Sequence, residues 1–113
     1  MILDHFDDFA AACPPMRALI GLDLGDRTIG IAVSDRLGAS ATPLETIRRG
    51  KFAPDAKRLL FLAADREAAG ILLGLPRNMD GSEGPRCQAT RAFARNLSRL
   101  TDLPIGFWDE RLS

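Results

Sequence analysis

The stretch GLDLGDRTIGIAVSD, residues 21–35, restricts the fold more than any other part of this chain. It continues an apolar run that begins at Ala18, and it sets a charged Asp23 between Leu22 and Leu24. A nearly unbroken apolar run of this length is what a strand buried on both faces requires. Gly25-Asp26-Arg27-Thr28 then supplies turn residues, and Ile29, Ile31 and Val33 alternate with small residues as a returning antiparallel strand does. A carboxylate in apolar surroundings is costly unless something pairs with it. The pattern predicts a hairpin with Asp23 near the end of its first strand, and it demands a partner for Asp23.

Downstream, a third short strand is expected at about 43–47, after a loop over 35–40, with Pro43 favouring a sheet edge. The period then changes. Ala56, Leu59, Leu60 and Ala63 recur at helical spacing within 55–67, and Pro54 suits a first turn. A short buried strand over 69–73 runs into Gly74-Leu75-Pro76, and a loop rich in Gly, Asn and Asp follows to Gly84. Ala89, Phe93, Leu97 and Leu100 mark the buried stripe of a second helix over about 85–100, and 105–108 reads as a last strand. The order is a three-strand meander, then helix, strand, helix, strand. Right-handed crossovers would set the fourth strand parallel to the first and beside it, with the fifth outside the fourth. The fold class is therefore α/β, a mixed five-stranded sheet with Asp23 on its central strand.

With 113 residues the chain is long enough for one core and too short for two lobes. Residues 1–16 hold Asp4, Asp7 and Asp8 and no Lys or Arg, and Pro14-Pro15 closes them off. They read as an acidic appendage to a domain over 17–113. This acidic start is unlike a signal peptide, and no apolar run approaches the ~20 residues that span a bilayer. A cytoplasmic protein without membrane contact is expected. The formal charge of zero leaves residues 17–113 with 15 basic against 12 acidic groups, and all the basic ones except Lys51 and Lys57 are arginine. Arginine's planar fork suits phosphate oxygens. Cys13 and Cys87 lack ligand spacing, and with His5 as the one histidine neither a zinc site nor an activated thiol is indicated.

The last strand ends in IGFWDERL, which brings Asp109 and Glu110 to the sheet edge where Asp23 lies. Ligands of open α/β sheets bind at such edges. Converging carboxylates repel unless a cation neutralises them, and oxygen donors alone suit Mg²⁺ or Mn²⁺. That chemistry is metal-assisted phosphoryl transfer. The blander readings stay open at this level: Asp23 paired with Arg27 or Arg111, or capping the turn at Thr28, and Asp109-Glu110-Arg111 as a solvated cluster. Arg91, Arg95 and Arg99, with Arg86 a turn earlier, form either the wet side of a helix or a phosphate-binding ridge.

Taken together, GLDLGDRTIGIAVSD, ILLGLPRNMDGSEGPRCQATRAFARNL and WDERLS resemble the YqgF/RuvX family of pre-16S rRNA nucleases related to Holliday-junction resolvases, over residues 17–113. The resemblance implies a ribonuclease-H-like fold and a bacterial cytoplasmic nuclease. Its implied work is divalent-metal cleavage of structured nucleic acid in processing the 5′ end of the small-subunit rRNA precursor. By position, Asp23 and Glu110 match the metal-binding acids, Asp109 stands beside Glu110, and Arg111 completes the DER motif. Gly25 and Gly30 match the hairpin glycines, and Gly74, Pro76, Gly81 and Gly84 the loop before the second helix. Arg27, Arg77, Arg86, Arg91, Arg95 and Arg111 are the expected nucleic-acid contacts. Family members continue beyond DERLS into a helix that carries another acid. Its absence here implies an incomplete site and an open sheet face through which copies could associate. The alternatives are a DNA junction endonuclease, a non-catalytic nucleic-acid-binding protein, and an ATP-binding module of the actin and sugar-kinase group, whose two lobes this length cannot supply.

Overall fold

The computed structural model describes residues 1–34 and 41–109. The expected loop at 35–40 lies outside the described residues, as do Glu110 and Arg111. The meander is β2 (Leu19–Leu24), β3 (Thr28–Ser34) and β4 (Ala41–Arg48), preceded by β1 (Ile2–Leu3) and α1 (Phe6–Ala12). There follow α2 (Phe52–Asp65), β5 (Gly70–Leu75), α3 (Pro85–Ser98) and β6 (Ile105–Asp109). One sheet results, in the order β1-β6-β5-β2-β3-β4. β5 lies parallel beside β2 and β6 parallel outside β5, as the crossover rule requires. β4 is an edge strand, and Pro43 sits next to its bulge, where a missing N–H costs no central ladder bond.

Side-chain alternation divides the sheet into two unlike faces. Ile20, Leu22, Ile29, Ile31, Ile71, Leu73, Leu75, Ile105 and Phe107 point to one side and form the core with Ala56, Leu59 and Ala63 of α2 and Cys87, Phe93 and Leu97 of α3. The helices follow from the predicted stripes. Asp55 in the first turn of α2 accepts the Gly50 N–H at 3.0 Å, and Glu67 ends that segment in the left-handed region at φ 51°. Arg17 donates to the freed Glu67 carbonyl at 2.8 Å, tying the entry of β2 to the exit of α2.

Of residues 1–16, expected as an appendage, 2–3 join the sheet and 6–12 form a helix packed on it. β1 pairs parallel with β6, Ile2 opposite Ile105 and Leu3 opposite Gly106, and raises the strand count from the expected five to six. α1 lies on the side opposite α2 and α3. Its Phe9 is fully buried, with ring atoms 3.0 Å from where a Cβ on Gly70 would stand and 2.6 Å from where one on Gly106 would stand. Two glycines on adjacent strands thus form the notch that receives this ring.

Candidate functional site

Asp23 is exposed, which corrects the expectation of a carboxylate walled in by apolar groups. β2 is buried chiefly on its helix-covered side: Ile20 and Leu22 point inward, and period two turns Gly21 and Asp23 outward. Asp23 has no ion pair or hydrogen bond to its side chain among the described residues, so neither Arg27 nor the Thr28 turn holds it.

The turn beside it is tight. Gly25 N–H donates to the Thr28 carbonyl at 2.8 Å, and a Cβ on Gly25 would stand 3.3 Å from that same oxygen. Gly30 is the cross-strand partner of Asp23, and a Cβ there would lie 3.7 Å from the Asp23 Cβ. Glycine is not forced at that position, but its bareness keeps space beside the carboxylate. The sheet face around Asp23 is a cleft of about 1010 Å³ whose lining includes Gly21, Asp23, Gly30, Gly74, Arg86 and Trp108. Small residues form its floor, so a polymer backbone can come close to the carboxylate.

Asp109 does not share this cleft. In the β5–β6 register Trp108 lies opposite Gly74 and Asp109 opposite Leu75, so Trp108 faces the Asp23 side and Asp109 the helix side. There Asp109 meets Arg77 at 3.7 Å, and Arg77 meets Glu83 at 3.3 Å. Arg91 grips Glu83 through two bonds of 2.7 Å, reaches Asp4 at 2.7 Å, and stacks over Phe107 at 4.9 Å. The Arg91 hydrogen bonds hold the Glu83 carboxyl below its ordinary range, and Glu83 in turn holds the Arg91 guanidinium protonated. Asp23 and Asp109, expected to converge at one sheet edge, therefore stand on opposite faces of the sheet. Adjacent residues of a strand point to opposite sides, so Asp109 cannot follow Trp108 into the cleft.

The arginines sort by the same geometry. Arg86, exposed in the first turn of α3, lines the cleft and has no ion pair among the described residues. Arg27 is exposed in the hairpin turn, and its carbonyl accepts the Arg49 N–H. Arg77 and Arg91 are held in the ion cluster, and Arg95 is exposed in the last turn of α3. The loop before α3 closes on itself: Ser82 donates to Asp80, Gly81 donates to the Asn78 carbonyl, and Gly81 has φ 89°, open to glycine. Gly84 caps α3, and Pro76 and Gly74 lie at the end of β5. Burial pushes both thiols, Cys13 and Cys87, above their ordinary range, which suits packing rather than attack.

Two residues at the site were not among the sequence candidates. Arg49 donates to the Gly25 carbonyl at 2.7 Å and lines a recess between the hairpin turn and α3 with Arg86; the arginine pair at 48–49, just after an edge strand, was the available signal. Trp108 lies in the cleft itself, and its place between Phe107 and Asp109 was legible only once the register was known. Among the described residues no three His, Cys, Asp or Glu side chains cluster as a metal site would. Among the described residues, two carboxylates line this cleft, Asp23 and Glu45; Glu45 is paired with Arg58 at 2.7 Å, and Asp23 carries no ion pair.

A family model described as RuvX, Holliday junction resolvase, matches residues 17–113. Proteins named "Putative pre-16S rRNA nuclease" from Ruegeria sp. (strain TM1040) and Ruegeria pomeroyi are 76% and 71% identical over all 113 residues, which span 72% and 73% of those proteins. Among solved structures, Thermus thermophilus RuvC superposes with a TM-score of 0.57 at 13% identity, over 81% of this chain and 63% of that one. The large terminase nuclease of phage G20c gives 0.55 at 18% identity, over 82% and 43%. These two likenesses speak for the fold, a ribonuclease-H-like sheet.

Proposed function

This chain belongs to the RuvX family, and from that premise we propose that the Asp23 face is where it cleaves phosphodiester bonds in structured nucleic acid. The protein is a nuclease, a hydrolase, and its proposed substrate is the 5′ region of the 16S rRNA precursor in the bacterial cytoplasm. One observation carries the assignment of the site: Asp23 stands exposed and unpaired among the described residues, over a floor of glycines, with Arg86 at the rim.

Asp23 fits a hard divalent cation, because it is exposed and, among the described residues, no guanidinium pairs with it. Glu110 is the proposed second ligand. Its match to the acid of the family's DER motif supports it, and Asp109 is turned to the helix side. When bound, Mg²⁺ or Mn²⁺ would polarise the phosphoryl oxygen and stabilise the charge that develops on it. The chain's own part is to place the phosphate. Gly21, Gly30 and Gly74 let the nucleic-acid backbone approach, and Arg86, which has no acidic partner among the described residues, attracts the anionic strand. Asp23 also repels phosphate when no cation is present, so substrate and metal binding are coupled.

The test is Asp23→Asn, assayed with a precursor rRNA 5′ segment and with a four-way DNA junction, in Mg²⁺, Mn²⁺ or a chelator. Cleavage of the RNA should fall by more than the ~10–100-fold that loss of an outer-shell metal partner costs. RNA binding should be kept or tightened, because one negative charge leaves the cleft. Metal-dependent cleavage that survives the substitution would remove Asp23 from the site. Preference for the DNA junction would make the protein a resolvase, and binding without cleavage in any metal would leave a scaffold.

A further inference from the structure

We infer that Trp108, steadied by Phe6 of the N-terminal helix, is a stacking platform for an unpaired base next to the phosphate held at Asp23. The inference rests on the nucleic-acid reading above and adds a substrate class to it: strands with a splayed or single-stranded nucleotide at the site.

Three observations converge. First, Trp108 is an exposed large side chain, 37% accessible, on β6, where every other described residue but Asp109 is buried. Its indole lines the same cleft as Asp23, beside apolar and glycine residues, where a flat base could cover it. Second, the register sets a row across three neighbouring strands. Leu22 pairs with Leu73 and Gly74 with Trp108, so Asp23, Gly74 and Trp108 follow one another on the same face. Two strand spacings separate the carboxylate from the indole, about 10 Å, and the residue between has no side chain. That bare step leaves a path one nucleotide can bridge, with phosphate at one end and base at the other. Arg86 on the rim of the same cleft offers the strand a cation, while the lining acid Glu45 is already paired with Arg58.

Third, the indole is steadied by a neighbouring ring while remaining 37% exposed. Phe6 meets it edge-on, ring centroids 5.4 Å apart at 75°. Phe6 is itself fixed because Phe9, one turn on, is locked into the notch of Gly70 and Gly106. The N-terminal segment, outside the residues matched by the family model, thus becomes part of the site wall. Aromatic faces accept any base, so this contact selects unpaired over paired nucleotides and not one sequence over another.

The chain offers its own probe, since Trp108 is its one tryptophan and it has no tyrosine. Emission from Trp108 is followed in the Asp23→Asn chain, without metal, while a roughly ten-nucleotide oligoadenylate or its blunt duplex with oligouridylate is added. Binding is measured independently by anisotropy of an end label. The single strand should quench the emission saturably and the duplex should not. Trp108→Ala should weaken single-strand binding by roughly 5- to 150-fold and leave duplex binding unchanged, Trp108→Phe should restore most of it, and Phe6→Ala should give part of the loss. Single-strand binding with emission unmoved, or equal quenching by the duplex, overturns the platform and leaves the nuclease site standing. If neither RNA binds by anisotropy, the nucleic-acid reading of the cleft falls, and the platform with it.

Discussion

Replacing Gly106 with alanine would set a methyl group 2.6 Å from Cγ and Cδ1 of Phe9 and 2.9 Å from its Cβ. These atoms lie near the root of the side chain, so a rotamer change cannot clear them; α1 must shift or leave. Leaving exposes a ring that is fully buried, at about 1.5–3 kcal/mol, and shifting costs a similar 1–3 kcal/mol of overpacking. Against this, alanine restricts the unfolded chain and contributes about 0.4–1 kcal/mol in the other direction. The net is about 0.5–2.5 kcal/mol, felt at α1 and β1 and not in the core between the sheet and α2 and α3. Amide exchange over residues 6–12 should therefore quicken roughly 2- to 70-fold, and Trp108 emission should change as Phe6 moves away. The sharper test is the background. In Phe9→Ala the obstructing ring is gone, so Gly106→Ala should become neutral or stabilising by up to ~1 kcal/mol. An equal penalty in both backgrounds would refute the notch, because the cost would then have nothing to do with Phe9.

Two further outcomes follow from the charges. Arg86→Ala should lower affinity for RNA about equally across sequences and reduce the slope of log K against log salt by ~1, with no change in the melting curve, since Arg86 makes no structural ion pair among the described residues; an unchanged slope would place the strand elsewhere. Glu83 is held below its ordinary pKa by Arg91, so its contribution to stability is complete above about pH 4.3, the unfolded value, and is lost as pH falls through the lower folded one. Arg91→Ala should thus flatten the acid limb of a stability–pH curve, and an acid limb of unchanged steepness would show that this pair does not couple to folding.

The meander, the two crossover helices and the strand order were legible because they rest on local period and on chirality. The apolar run from Ala18, the turn at Gly25 and the stripes of α2 and α3 each carry their signal within a dozen residues. The same run misled on one point. Read as buried on both faces, it made Asp23 a burial problem, whereas the side of the sheet facing away from α2 and α3 is open around that residue. An apolar strand with one charged member does not say which of its faces a helix will cover.

What the sequence by itself determined was a set of elements, their order, and the presence of carboxylates at two strand ends. The tertiary structure decided which of those groups share a face. Register puts Trp108 in the cleft and sends Asp109 to Arg77, and it cannot be read locally, since a shift of one residue reverses every side chain of a strand. The docking of residues 1–12 was hidden for a related reason. A buried Phe9 needs the empty space of Gly70 and Gly106, about 60 and 100 residues away along the chain, and nothing in a stretch holding three aspartates announces a cavity that folding creates elsewhere.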